Sequence, residues 1–210
     1  MPFVSFEGVD GSGKTTQLRL LGDWLDEREE TVTRTREPGG GPLGMAVRDI
    51  FTAPNRAFPL SPTEELLLIN AARYGHVTSV IRPALARGEW VLTDRFVDST
   101  YALQVHGTTV PETLFKAVIG SVVGDTFPDL TVVLDLEPAI ARERLRNRTA
   151  NDDPAEQTRD FERIRQGYHR LVEREPNRCR LIDAARDEVQ VAQDIRRAIE
   201  FLLVSKGSSS

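Results

Sequence analysis

The chain has 210 residues, of which 40% are apolar, and a formal charge of −5. That length suits one domain with a sizeable core, and the acidic balance argues against a duplex nucleic-acid binder, whose footprint is usually basic. No apolar run reaches the roughly 18 residues of a membrane span and no basic, apolar leader precedes the first strand signal. The single cysteine, Cys179, excludes an internal disulfide framework. The expectation is a cytoplasmic protein with no nucleic-acid or membrane partner, in which Cys179 is a small buried strand residue.

Five short runs rich in β-branched and aromatic residues predict strands at Phe3–Glu7, Thr31–Thr35, Glu89–Asp94, Leu130–Leu136 and Arg178–Ile182. Helical periodicity marks Lys14–Arg28, Leu43–Phe51, Pro62–Arg87, Pro111–Val123, Pro138–Arg148, Thr158–Arg174 and Glu188–Val204. The third helix has the clearest start: Ser61 as cap, Pro62 at the first position and Glu64 completing a capping box. Leu66, Ile69, Val77, Val80, Ile81 and Ala84 form its apolar stripe. Alternating strand and helix signals predict an α/β fold, a doubly wound parallel five-stranded sheet with helices on both faces. Ligands bind such a sheet outside the carboxyl ends of its strands.

After the first strand comes Gly8-Val9-Asp10-Gly11-Ser12-Gly13-Lys14-Thr15-Thr16. Its first eight residues have the Walker A spacing. The glycines let backbone N–H groups turn around phosphate oxygens at the positive end of the following helix. Lys14 is placed to reach the β- and γ-phosphates, and the Thr15 hydroxyl to ligate Mg²⁺. The loop predicts a bound nucleoside triphosphate. The base-reading Asn-Lys-x-Asp of a switch GTPase does not occur.

Arg36 and Glu37 follow the second strand; Asp94 and Arg95 end the third. Two arginines at successive strand ends beside the loop point to an acceptor phosphate, which a rigid guanidinium fork engages through two oxygens. Asp94 is placed either near the metal or as a helix cap, and the two roles are compatible. Arg73, between apolar neighbours on the third helix, either snorkels to solvent or enters a polar pocket. In "ARERLRNR", Arg144 and Arg148 share one helix face, and Arg142 and Arg146 another. They are either a solvated surface or, next to the polar stretch 148–156, part of a lid that closes over transferring phosphates.

Together, "FEGVDGSGKTTQ", "TREPGG", "AAR", "TDRFVDST" and "PDLTVVLDL" resemble the thymidylate kinase family of P-loop nucleoside monophosphate kinases, over most of the chain. The resemblance implies a single P-loop kinase domain over residues 1–205, a lid at about 142–157 and a disordered tail at 206–210. It implies ATP- and Mg²⁺-dependent phosphoryl transfer to dTMP by a homodimer. Asp10 would organise metal and acceptor sugar, with Thr15 and Asp94 at the metal. Arg95 would hold the acceptor phosphate and Arg73 the thymine, while Ser99, Thr100 and Gln104 would lie along the nucleotide. Gly11 occupies a position that is arginine in one branch of the family, and the other branch places arginines in the lid, as Arg144 and Arg148 would be. Three residues or segments depart from the pattern: Ile69 replaces an aromatic that stacks on the base, Leu103 a tyrosine on the sugar, and Asp152-Asp153-Pro154-Ala155 an Asp-Arg-x-Glu lid motif. These bear on acceptor identity and lid chemistry. Two alternatives are a kinase of another nucleotide or nucleoside acceptor and a degenerate nucleotide-binding regulatory module.

Overall fold

The structure is a computed structural model that describes residues 1–53, 58–147 and 159–207. Five parallel strands, β1 (Phe3–Glu7), β2 (Val32–Arg36), β3 (Trp90–Asp94), β4 (Leu130–Asp135) and β5 (Cys179–Asp183), lie in the order β2-β3-β1-β4-β5. The predicted strands all occur, with ends shifted by at most one residue. Because β3 and β4 flank β1 on opposite sides, the winding reverses at the carboxyl end of β1, and a crevice opens there.

All five residues of β1 are buried, as expected for a central strand covered on both faces. Its register pairs Phe3 with Val91 and Val4 with Leu92. Successive side chains point to opposite faces, so Phe3 and Val91 join one apolar cluster, with Ile81 and Ile119, while Val4 and Leu92 join the other, with Leu21 and Ile195.

The helices are α1 (Lys14–Asp26), α2 (Pro42–Thr52), α3 (Pro62–His76), α4 (Arg82–Ala86), α5 (Val97–Thr100), α6 (Glu112–Val123), α7 (Pro138–Arg146), α8 (Phe161–Arg174) and α9 (Glu188–Gly207). The Ser61–Glu64 capping box forms as read, the Ser61 amide reaching Glu64 Oε2 at 2.8 Å. The predicted helix 62–87 is not uniform: a π-helical turn, Val77–Ile81, joins α3 to α4. Pro83 lacks the N–H that would continue the α ladder, and the Arg82 amide reaches back five residues to the Val77 carbonyl. A second π turn, Tyr101–Val105, continues α5; neither was predicted. The last helix takes in positions 206 and 207, which the sequence reading gave to a tail.

Candidate active site

The loop after β1 is shaped by close approaches. Gly8 has φ +138°, and a Cβ there would lie 2.5 Å from the Leu134 carbonyl oxygen. Gly11, at φ +83°, packs against α7 so closely that a Cβ would meet the Ala141 carbonyl oxygen at 2.8 Å. An arginine at this position would have to displace α7. Lys14 is buried, and its Nζ donates to the carbonyls of Gly8 (3.1 Å) and Val9 (2.9 Å), 3.9 Å from Asp10 Oδ1. Burial and the charge of Arg95 lower its pKa to about 8, against the pull of Asp10, Asp94 and Glu7. Thr15 donates its hydroxyl proton to Asp94 Oδ2 at 2.6 Å, so β3 and α1 bring two hard oxygen ligands together across 79 residues.

Arg95 has a left-handed backbone, φ +73°, a costly conformation for a residue with a Cβ. Its amide donates to the Phe6 carbonyl at 3.0 Å. Its guanidinium donates to the Gly8 carbonyl (3.2 Å), Ser99 Oγ (3.0 Å) and Tyr168 Oη (3.2 Å), and pairs with Asp10 Oδ1. The other Asp10 oxygen receives Arg159. Burial alone would raise the Asp10 pKa, but Arg95, Lys14 and Arg159 outweigh it and hold the carboxyl well below its ordinary range. Both oxygens of Asp10, which the sequence offers as a metal ligand, face guanidinium groups here, while the Thr15 and Asp94 oxygens meet. Two protein oxygens completed by substrate phosphates fit Mg²⁺. Among the described residues no group of three or more His, Cys, Asp or Glu could hold a metal by itself.

Beneath Arg95 lies Glu7, fully buried. It accepts from the Phe96 amide at 2.8 Å, from Ser99 Oγ, and from Tyr168 Oη at 3.3 Å. Burial and neighbouring Asp98 raise its pKa to about 7, against the opposing effects of Ser99, Arg95 and the Phe96 amide.

Arg73, left open between solvent and pocket, is 2% exposed in a polar pocket. It donates to Glu37 Oε2 (2.7 Å), Asn70 Oδ1 (2.8 Å), the Phe96 carbonyl (3.0 Å) and Thr100 Oγ1 (3.0 Å). Glu37, expected at the substrate, lines the cavity, and its carboxylate is engaged by Arg73 and, through Oε1, by His76 Nδ1 at 2.8 Å. It holds Arg73 in place. Ser99 and Thr100 are likewise buried and committed to Arg95 and Arg73. Arg36 is exposed at the cavity rim. Ile69 and Leu103 are half-buried in the cavity wall. Gln104 turns its amide nitrogen to Glu65 Oε2 at 3.0 Å, which leaves Oε1 facing away, buried and without a hydrogen-bond partner.

The loop from Asp10 to Thr15, with Arg36, Glu37, Ile69, Arg73, Asp94, Arg95, Ser99, Thr100, Leu103 and Gln104, borders one cavity of about 1000 Å³, at the upper end for small-molecule sites. Thr16 lines it beside the loop. Sequence reasoning missed Phe51 on α2, Arg159 just before α8, and Ala184, Arg186 and Val191 after β5. It also missed Glu7 and Tyr168 beneath Arg95. The position of Ala184 after the fifth predicted strand was the one available signal. Arg144 donates to the Ala184 carbonyl at 3.0 Å and so joins the cavity wall, whereas Arg142 and Arg146 are exposed. Arg148 and the lid segment to 157 lie outside the described residues.

A phosphate loop at the switch point of a parallel sheet, facing an arginine-lined cavity, defines a P-loop NTPase-type domain. A family model described as thymidylate kinase matches residues 6–195. The chain is 42% identical over 203 residues to a thymidylate kinase of Symbiobacterium thermophilum, covering 96% of this chain and 94% of that one. It is 42% identical to a thymidylate kinase of Nitrosospira multiformis, covering 94% of each. The crystal structure of thymidylate kinase from Ehrlichia chaffeensis superposes with a TM-score of 0.74 at 31% identity, over 94% of this chain and 98% of that one. The chain belongs to the thymidylate kinase family. Among the described residues, no helix is long and apolar enough to cross a membrane.

Proposed function

We propose that this phosphotransferase moves the γ-phosphoryl group of ATP to dTMP, giving dTDP and ADP. One observation carries the reading: Lys14 and Thr15 of the phosphate loop open on the same cavity as Arg95 and Arg73, at the carboxyl end of the sheet. An oxygen of the dTMP phosphate forms a bond to the γ-phosphorus as the bond from that phosphorus to the β–γ bridging oxygen breaks. Charge spreads over the transferred oxygens, so catalysis is alignment and electrostatic stabilisation. Lys14 leaves its loop carbonyls to meet the β- and γ-phosphates. Arg95 exchanges Asp10 for the acceptor phosphate, and Arg159 adds charge from the stretch before α8. Thr15 and Asp94 would hold Mg²⁺, which would supply positive charge to offset that of the phosphates. Arg73 has one Nη hydrogen left over from its four bonds, enough to donate to a base carbonyl, and Phe51 supplies an aromatic wall in the cavity that lacks one at Ile69.

The protein works as a homodimer in this reading. Leu43 and Met45 on α2, and Leu67 and Tyr74 on α3, are each about half exposed, an apolar surface suited to self-association. A reducing, cytoplasmic setting agrees with Cys179, whose thiol is pushed up to about 12 by burial and Asp98 and is therefore inert. The test of the phosphoryl-transfer reading is ADP release with ATP and dTMP in wild type and Lys14→Ala, with thermal unfolding measured in parallel. The reading expects acceptor-dependent ADP release that falls by about 10²–10³ in the mutant, as when a preorganised donor is removed. A folded Lys14→Ala protein with wild-type turnover would contradict it.

A further inference from the structure

We infer that Tyr168 is a positioning residue: its hydroxyl, delivered by α8, fixes the guanidinium of Arg95 for the acceptor phosphate. The inference rests on the assignment of Arg95 to the acceptor side. Tyr168 is 1% exposed and lies on α8. Its Oη stands 3.2 Å from Arg95 Nη1, 2.9 Å from Ser99 Oγ and 3.3 Å from Glu7 Oε2. A guanidinium only donates and an ionised carboxylate only accepts. A hydroxyl between them therefore accepts from Arg95 and donates toward Glu7. Ser99 does the same, accepting from Arg95 at 3.0 Å and donating to Glu7. Arg95 and Glu7 are thus joined by two parallel hydroxyl bridges, one carried by α5 and one by α8.

The helix that carries the second bridge is docked tightly. A Cβ on Gly167 would lie 3.0 Å from the Ala102 Cα, so α8 rests directly on the π turn that bears Leu103 and Gln104. Arg163 donates to the carbonyls of Ala102 (3.3 Å), Leu103 (3.2 Å) and His106, satisfying acceptors that the π turn leaves open. The stretch leading into the same helix carries Arg159, which grips Asp10, the ion-pair partner of Arg95. α8 and the residue leading into it therefore touch both members of the Asp10–Arg95 pair. Packing alone would be served by phenylalanine; a buried tyrosine hydroxyl takes partners, and here they are the groups that set Arg95.

The experiment compares wild type, Tyr168→Phe and Ser99→Ala in two readouts. The first is steady-state kinetics with dTMP and ATP varied separately. Tyr168→Phe should raise the acceptor KM by about tenfold, the loss of one hydrogen bond to a charged group, with the ATP KM within about twofold. The second is ¹⁵N NMR of the arginine side chains without substrate. In wild type the Arg95 Nη signals should be resolved and slow to exchange, and in both variants they should broaden and exchange faster. Ser99→Ala removes the other bridge and serves if Tyr168→Phe does not fold. Unchanged Arg95 signals in a folded variant would overturn the inference, as would an unchanged dTMP KM where wild type turns dTMP over. Wild type that ignores dTMP counts against the substrate assignment instead, and the NMR comparison still decides the role of Tyr168.

Discussion

Arg159 and Asp10 stand 149 residues apart in sequence, yet the guanidinium of one holds a carboxylate oxygen of the other. Asp10 belongs to the phosphate loop, and Arg159 lies just before α8. The contact ties the loop to the entry of α8. Arg95 occupies the other oxygen of the same carboxylate, so phosphate arriving at either arginine competes with Asp10 for it.

Arg159→Ala should therefore lower turnover more than it weakens ground-state binding of either nucleotide, by about 10²–10³ if Arg159 acts as a preorganised charge for the transferring group. Single-turnover rates set against equilibrium titrations of ATP and dTMP separate the two effects. Unchanged single-turnover rates would reduce Arg159 to a structural partner of Asp10.

Glu37 and Arg73 form an ion pair in which both side chains are less than 5% exposed. Removing one member of such a pair leaves the other charged and uncompensated, typically a loss of about 3–5 kcal/mol. Glu37→Ala should lose about that much stability in urea unfolding and should also weaken dTMP binding, because Arg73 is no longer aimed. Full stability with unchanged binding would show that Asn70, Thr100 and the Phe96 carbonyl hold Arg73 unaided.

Glu7 gives a pH dependence of defined sign. Its pKa rises from an ordinary 4.5 to about 7, so the folded protein keeps a proton that the unfolded chain releases. Its contribution to stability is complete below about pH 4.5 and declines as pH rises to about 7. The ionised form, however, is the acceptor that Ser99 and Tyr168 require, so turnover should climb over the same approach to neutrality. Glu7→Gln should flatten both trends. Unfolding free energies and turnover measured from pH 5 to about 8 provide the check; a variant with the wild-type pH slopes would assign the titration to another group.

The parts of this fold visible in the sequence were those written locally. The strands announce themselves by β-branched runs, the phosphate loop by its glycines, and α3 by Ser61, Pro62 and Glu64. The π turns were hidden because Val77, Val80 and Ile81 read as the continuation of an ordinary helix stripe, and because the short run Tyr101–Val105 takes its place in the wall from α8 packing on it. Glu7 read as the end of an apolar strand, since nothing local says that Ser99 and Tyr168 converge on it. Arg73 was equally balanced by sequence because its pocket is built from Glu37, Asn70, Phe96 and Thr100, three of them far along the chain. Glu37 was legible as a strand-end residue at the cavity, but not its two partners, because Arg73 and His76 reach its oxygens from α3. Arg159 follows a polar stretch without periodicity, and only closure onto Asp10 distinguishes it from a surface charge.

The most direct measurement is relative kcat/KM for dTMP, dUMP, UMP, dCMP and dGMP with ATP in wild type and Ile69→Phe. Arg73, Gln104 and the apolar wall of Phe51, Ile69 and Leu103 predict dTMP as the preferred acceptor. Discrimination should be shallower than a stacked aromatic would provide, since base stacking is worth about 1–3 kcal/mol, and Ile69→Phe should sharpen it. Efficient use of another acceptor by a wild type that ignores dTMP would contradict the account.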